Sequence, residues 1–462
     1  MKYQNPLVTV YITNYNYGAY IEQSIESVLI QSFQDFELLI IDDGSTDNSK
    51  DIIEKYRSLE KVQIIYQQNK GLNITNNIAM RAARGKYLMR LDADDFLENA
   101  ALELMTEVLE QNSDIGLIFP DYYYVNAEGQ RIGEERRHNF EKEVSLYDQP
   151  AHGACTMIRL EFLKNLGGYN ESFTCQDGYD LWIKFIMHHK VININTPLFS
   201  YRRHGNNLTT DENRILKTRK KIKELFVEEH LKMPNVLTVI PVRNTFIRNI
   251  NWPLQEIEGK SVLERKIDVC LKAKRLSTIV ISSSDQEILN YSRKKFSDNK
   301  RILILERPKA FSAPDQTLAA TVTQAVNFVH LQRPQVVDVI ISLSIDYPFV
   351  ESDVIDDAVN TLVLFKADTV LSVRPDNKMY YQHNGHSLKP ILDQEKFTKL
   401  EREALYKGAG GIMVSTRKSF EKNNRLISGK ISHIVVDQKT SFGVFGNFDF
   451  EIYNTYFSKF KD

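Results

Sequence analysis

Two open, mostly parallel α/β sheets, one in each half of the chain, are what this sequence predicts, and three observations carry that reading. Apolar strand-like runs alternate with stretches of helical period from one end of the chain to the other. The alternation starts afresh after a proline, in "MPNVLTVIPVRN". And 462 residues, 42% of them hydrophobic, are enough for two ordinary cores. The domains expected are therefore residues 1–232 and 234–462, with the border near Pro234.

In the first half, "LVTVYIT" reads as a strand, and Ile21, Ile25, Val28 and Leu29 then share one helical face. The strand "FELLIID" follows, then a helix marked by Ile52, Ile53, Tyr56 and Leu59, then "VQIIY" and "KYLMRLDADD". A helix is expected from about Leu97, capped by Asp95. Residues 215–233, "ILKTRKKIKELFVEEHLKM", read as an amphipathic helix with Lys217, Arg219, Lys220, Lys221 and Lys223 in one basic patch. That patch is either a solvated face or a surface attracted to anionic membrane. The second half repeats the rhythm through "VLTVIPV", "TIVISSS", "RILILE", "VVDVIISLS" and "TVLSV", with helices between them from about Ser261 and Gln316.

Bulk properties narrow the partners. A formal net charge of −1 gives no global basic field for nucleic acid and no acidic excess for disorder. Three well-separated cysteines, Cys155, Cys175 and Cys270, form neither a zinc motif nor a disulfide framework and suit a reducing compartment. The N-terminus enters a strand within a few residues, without a signal-peptide pattern, and no apolar run approaches the roughly 20 residues of a membrane span. A cytoplasmic protein is expected, with any membrane contact peripheral and at the inner face. Oligomeric state is left open.

In open parallel sheets ligands bind beyond the carboxyl ends of the strands, so polar residues there are the ones to inspect. Three such ends stand out in the first half: "TNYNYG", "DDGSTDNS" and "DADD". Each alone is what a turn or helix cap requires. Together, three clusters at corresponding ends of one sheet point to a site. Asp92, Asp94 and Asp95 repel one another unless solvent or a cation offsets their charge, which raises the expectation of a metal.

The segments "VTVYITNYNYGAYIEQSIESVLIQSFQDFELLIIDDGSTDNS", "LDADD", "CQDGYDLWIKF" and "YRRHGNNLT" occur in order, and together they resemble the inverting GT-A glycosyltransferases of family 2 over residues 6–210. The resemblance implies a nucleoside diphosphate sugar as donor, UDP-sugar favoured, with a glycan or lipid-linked acceptor. It implies Mn²⁺ or Mg²⁺ held by Asp94 with Asp92, the other acid of the DxD, and His204 nearby. An all-oxygen carboxylate site suits those ions, and the cation offsets charge on the departing diphosphate. Thr13, Tyr15 and Asp43 match residues that hold the nucleotide base, with Asp42 beside them. Lys70 and Arg84 are further diphosphate candidates, and Arg202 and Arg203 could add positive charge. Asp177 matches the general base, with Asp180 as fallback; Asp177 could equally cap the following helix.

The second half, residues 236–456, resembles sugar cytidylyltransferases of the kind that make CMP-sialic acid or CMP-Kdo. Arg243 and Arg248 match basic positions of the loop that holds CTP phosphates, Lys260 in "GKSV" a later lysine, and Asp346 in "SIDYP" a magnesium ligand. The chain departs from the family at the glycine-rich part of the loop, replaced by "NTFI". It departs again at Ala409, where asparagine is expected, and at Gly443 and Phe445, where the second metal acid should stand, Asp449 being shifted along. Three readings remain for this half: active cytidylyltransferase, relative with altered nucleotide choice, or inactive binding module. For the whole chain the two resemblances together imply two Rossmann-like nucleotide-binding domains, acting in cell-surface polysaccharide synthesis. The rivals are a non-catalytic scaffold and, from the basic patch alone, a nucleic-acid binder.

Overall fold

The computed structural model describes residues 5–136, 144–148, 150–151, 153–204, 212–312, 317–333, 336–376, 380–390 and 405–459. The chain divides into two compact units, Met1–Arg219 and Lys220–Asp462.

The first unit runs β1 (Val8–Asn14), α1 (Ile21–Leu29), β2 (Phe36–Asp42), α2 (Ser49–Glu54), β3 (Val62–Tyr66), α3 (Leu72–Ala82), β4 (Tyr87–Asp92), β5 (Phe96–Leu97), α4 (Ala101–Gln111), β6 (Ile115–Val125), β7 (Arg131–Glu135), β8 (Met157–Arg159), α5 (Leu160–Asn165), α6 (Asp177–His188) and β9 (Lys190–Arg202). Its sheet is ordered β3-β2-β1-β4-β8-β6-β9-β5, with β7 on β6. The strands β3, β2, β1 and β4 are parallel. One face of β1, β2 and β4 is wholly apolar: Val10, Ile12, Leu38, Ile40, Met89 and Leu91 are all fully buried. Each such side chain contributes roughly 1.5–3 kcal/mol of burial. The chain leaves β1 towards β2 on one side and returns to β4 on the other, so the crevice between β1 and β4 is the switch point where ligands sit in such sheets.

The second unit repeats this plan. After β10 (Val236–Pro241) come the short hairpins β11 (Phe246–Ile247) with β12 (Ile250–Asn251) and β13 (Glu256–Ile257) with β14 (Lys260–Ser261). They lead to α8 (Val262–Lys272), whose start is fixed by a capping box between Ser261 and Glu264. Then follow β15 (Thr278–Ser283), α9 (Gln286–Phe296), β16 (Ile302–Glu306), α10 (Leu318–Gln332), β17 (Val339–Leu343), α11 (Ser352–Leu364), β18 (Thr369–Asp376), β19 (Tyr381–His383), β20 (Leu388–Pro390), β21 (Leu405–Thr416), α12 (Arg417–Asn423), β22 (Ile431–Val435) and α13 (Asn447–Lys459). The main sheet is β16-β15-β10-β17-β21-β18-β22, and β10 lies between parallel neighbours β15 and β17. Its switch point is the crevice between β10 and β17. The two α/β sheets expected from the sequence are thus both present.

Two local expectations are corrected. No helix starts at Leu97: Phe96 and Leu97 form β5, paired with Ser200 and Phe199 of β9, and α4 starts at Ala101. Asp95 is therefore not its cap. The basic helix forms, as α7 (Glu212–His230), but its lysines are not an open field of charge. Lys220 pairs with Asp353 at 2.6 Å, Lys221 with Glu224 at 2.9 Å, and the nearly buried Lys223 with Asp357 at 2.7 Å. Among the described residues no helix is long and apolar enough to cross a membrane.

Candidate active site

At the β1–β4 switch point, register sets Thr13 opposite Asp92 and Asn14 opposite Asp42. Asp92 is the last residue of β4, and two residues before it, on the same side of the strand, stands Arg90. An arginine in a buried strand demands anionic partners, and Arg90 has two. Its Nε lies 2.9 Å from Asp92 Oδ1 and its Nη2 donates to Asp92 Oδ2 at 3.2 Å. Its Nη1 donates to Asp177, the first residue of α6. Burial opposes the Arg90 charge, but Asp92 and Asp177 outweigh it and raise the pKa of the guanidinium well above its ordinary value.

Asp177 Oδ2 also accepts from Asn76 Nδ2 at 3.3 Å, and Asn76 Oδ1 accepts from Tyr11 at 3.2 Å, whose hydroxyl meets that of Tyr169 at 3.2 Å. Arg90, Asp177, Tyr11, Tyr169, Trp182 and Gly153 line a cavity of about 20 Å³, room for about one water. Gly153 has to be glycine here, because a Cβ would fall 2.2 Å from Arg90 Nη2. Asp180 is turned away from this network. It pairs with Lys184 at 2.7 Å, and burial raises its pKa despite that lysine.

On the other side of Asp92, Asp94 Oδ2 lies 2.9 Å from His204 Nε2. The imidazole stacks on Tyr20, ring centroids 5.6 Å apart, and meets Tyr17 edge-on at 5.7 Å. Burial, then the charge of Asp92, holds the Asp94 carboxyl above the usual carboxylate range, against the hydrogen bond from His204. Asp95 is pushed well up by burial and by both neighbouring aspartates. Its Oδ1 accepts from the Arg202 backbone N–H at 2.9 Å, while its buried Oδ2 has no hydrogen-bond partner among the described residues. Arg202 itself is 2% exposed: Nε donates to the Asp94 carbonyl at 2.8 Å and Nη2 to Gln23 at 2.6 Å. It clamps the DADD turn to the end of β9 instead of facing a ligand. Arg203 lies over the Tyr124 ring, 3.9 Å from its centroid.

The residues expected around the nucleotide divide. Thr13 Oγ1 donates to Asp92 Oδ1 at 3.4 Å, and Tyr15 is exposed at the crevice mouth. Asp42 is buried, accepting from Asn14 Nδ2 at 2.7 Å and from the Ser45 N–H at 2.9 Å. Asp43 accepts from the Lys70 and Gly71 N–H groups at 2.8 and 2.9 Å, so Lys70 joins this cluster through its backbone. Arg84 is corrected: it pairs with Glu37 at 2.5 Å, near the amino end of β2. Glu37 and Asp42 are five residues apart, roughly 16 Å along a strand, so Arg84 lies at the wrong end of the sheet for a diphosphate.

In the second unit the strand ends carry the opposite charge. Asp346, beyond β17, accepts from Ser344 Oγ at 3.0 Å, and the charged groups acting on it are Arg243 and Lys266, both cations. Lys266, on α8, is 3% exposed and donates from Nζ to the Tyr347 carbonyl at 2.7 Å. Burial lowers its pKa to about 8, against the pull of Cys270 and Asp346. Arg307, just past β16, is 6% exposed and donates to the Ser282 and Val242 carbonyls at 3.2 and 3.3 Å. Arg248 instead pairs with Glu451 of α13, and Lys260 with Asp268 at 2.5 Å, both side chains standing exposed. Asp449 accepts from the Phe445 N–H at 3.1 Å, and the Phe445 ring meets Tyr347 edge-on at 5.6 Å.

Among the described residues no group of three or more His, Cys, Asp or Glu is gathered closely enough to hold a metal by itself. The first site nonetheless fits one. Mg²⁺ and Mn²⁺ are commonly held by one or two carboxylates with substrate phosphates completing the shell, and here Asp94 and His204 are paired beside Asp92, with an orphaned Asp95 oxygen behind them. Asp346 does not fit as well, because the charges around it are positive. Sequence reasoning missed Arg90, Tyr20 and Lys266. A lone arginine inside the apolar run "KYLMRLD" was the available signal for the first.

The model of glycosyl transferase family 2 matches residues 9–167. An uncharacterized glycosyltransferase of Methanocaldococcus jannaschii, MJ1057, is 32% identical over 207 residues, which span 71% of that protein and 43% of this chain. The chain belongs to glycosyl transferase family 2. The cytidylyltransferase model matches residues 237–415, so the family 2 chain carries a cytidylyltransferase domain as its second half, as the motifs of both halves implied. Chondroitin synthase of Escherichia coli is 30% identical over 231 residues, 50% of this chain and 32% of the synthase. Hyaluronan synthase of Pasteurella multocida is 30% identical over 204 residues, 44% of this chain and 21% of the synthase. The chain thus spans a third or less of the length of these polysaccharide synthases. Among solved structures, S. aureus TarS 1-349 in complex with UDP-GlcNAc overlays 77% of this chain and 90% of that one, at 15% identity and a TM-score of 0.42.

Proposed function

We propose that the first domain transfers a sugar, with inversion, from a nucleoside diphosphate donor of the UDP type to a hydroxyl of a glycan or lipid-linked acceptor, in cell-surface polysaccharide synthesis. The observation that carries this reading is the meeting, at one switch point, of Asp92, the Asp94–His204 pair and Asp177, all within a family 2 chain. We take residues 1–232 and 234–462 as the working domains.

Thr13, Tyr15, Asp42 and Asp43 line the side of the crevice on which the base of the donor would lie. Asp94 and His204, with Asp92, would hold Mn²⁺ or Mg²⁺. Such an ion offsets the charge of the departing diphosphate. Asp177 takes the proton of the acceptor hydroxyl. Its Oδ2 is committed to Arg90 and Asn76, which leaves Oδ1 to face the acceptor. The proton moves late, once bond formation has acidified the hydroxyl. Arg90 touches Asp92 and Asp177 together, and so sets the spacing between the metal side and the base side.

The second domain is read as a nucleotide-binding domain related to CTP-dependent sugar activation, which would make the chain bifunctional. A second reading, a binding module without catalysis, is favoured by the setting of Asp346 between two cations and by the commitment of Asp449 to a backbone N–H. The protein is placed in the cytoplasm, with any approach to the membrane peripheral. With three α7 lysines already paired to acids, that attraction is weak.

Calorimetry on the full chain with UDP, GDP and CDP, in Mn²⁺ or in EDTA, tests the first domain. UDP is expected to bind at least tenfold more tightly with Mn²⁺, and Asp94→Asn to remove that gain. Equal binding in EDTA would end the metal assignment; no nucleotide bound at all would end the transferase reading.

A further inference from the structure

The second domain keeps the sheet order of a nucleotide-binding fold but changes what stands at its switch point. Behind the exposed Arg243, at the end of β10, lie two buried cations on neighbouring elements: Arg307 after β16 and Lys266 on α8. Arg307 is held by the carbonyls of Ser282 and Val242, at the carboxyl ends of β15 and β10. Lys266 is held by the carbonyl of Tyr347, the residue after Asp346. Arg243 acts electrostatically on both Asp346 and Arg307, and Asp285 acts on Arg307, so the three cations and two acids form a single cluster. The other acid at these strand ends, Asp285, accepts from the Asn244 N–H at 2.8 Å and shapes the loop after β10.

A lysine buried to this degree is costly unless an anion nearby uses its charge. Asp346 offsets it in part, yet Asp346 already has Arg243. Bringing a divalent cation to the same carboxylate would place three positive groups around one negative one, which Coulomb repulsion opposes. The same arrangement suits an anion arriving from solvent, met by Arg243 in front with Lys266 and Arg307 behind.

We infer that the second domain binds the phosphates of a nucleoside triphosphate without a divalent cation, the buried ammonium of Lys266 supplying beside Asp346 the positive charge that a metal would otherwise bring. This rests on reading the domain as nucleotide-binding, and the test separates the two. The full chain is titrated with CTP in EDTA and in Mg²⁺, alongside Lys266→Met and Arg243→Ala. Affinity for CTP is expected to agree within about twofold between EDTA and Mg²⁺, and each variant to lose tenfold or more in EDTA. Lys266→Met removes a buried charge and keeps its stem, so it is expected to fold; a thermal melt verifies this, and Arg243, being exposed, reports independently. CTP bound only with Mg²⁺, or bound equally by both variants, would overturn the inference while leaving a nucleotide domain. No CTP bound under either condition would overturn both.

Discussion

The two sheets share one plan and differ in sign. In each, the chain leaves the central strand one way and returns on the other side, so β1–β4 in the first unit corresponds to β10–β17 in the second. At the first crevice, carboxylates gather: Asp92, Asp94 and Asp95, with Asp42 and Asp43 beside them, against the buried cations Arg90 and Arg202. At the second, Arg243 and Lys266 act on Asp346, and Arg307 stands between Arg243 and Asp285 in charge. The same topology therefore provides a place for ligands and leaves the kind of ligand to a few side chains. An acidic crevice needs a cation before it can accept a diphosphate; a basic one can take the anion directly.

The sharpest way to break the comparison is at the base. Asp177→Asn is expected to lower kcat for transfer by about 10²–10⁴-fold, with the donor KM little changed, as steady-state kinetics would show; a full-rate variant would remove Asp177 from the chemistry. Next in size is Arg90→Met, which strands two carboxylates of low exposure. It should cost about 3 kcal/mol of stability, read as a lowered midpoint in urea, and an unchanged midpoint would deny the network its structural weight. The smallest effect concerns pH and the second crevice. The folded pKa of Lys266 is about 8, below its unfolded value. Between about pH 8 and pH 10.4 the unfolded chain binds more protons at this site, so stability rises with pH through that window, and the cost of burying the charge is fully present below it. Lys266→Met should lack this rise. Parallel pH–stability curves for the two proteins would show that the amine is not held neutral by the fold.

How far the sequence could be read depended on the range of the interaction. Strand ends were legible because a strand and the polar turn after it are adjacent in the chain, which is why Thr13, Asp43, Asp92 and Asp94 could be picked out together. The misplacements came from contacts that local pattern does not encode. Asp95 has the composition of a helix cap, but its oxygen is taken by the N–H of Arg202, 107 positions away. Arg84 lies near the right strand in sequence and at the wrong end of it in space, because Glu37 on β2 claims it. Arg248 and Lys260 carry the charge expected of phosphate ligands, and each is turned to an exposed acid instead.

By itself the sequence determined the two-domain α/β organisation, the family motifs and the acidic strand ends, since hydrophobic period and turn chemistry act over a few residues. The tertiary structure alone decided which charges meet. Arg90 joins Asp92, two positions away, to Asp177, 87 positions away, and Lys266 reaches the backbone beside Asp346 across 81. Burial makes such pairings strong and selective, and burial is settled only when distant elements pack.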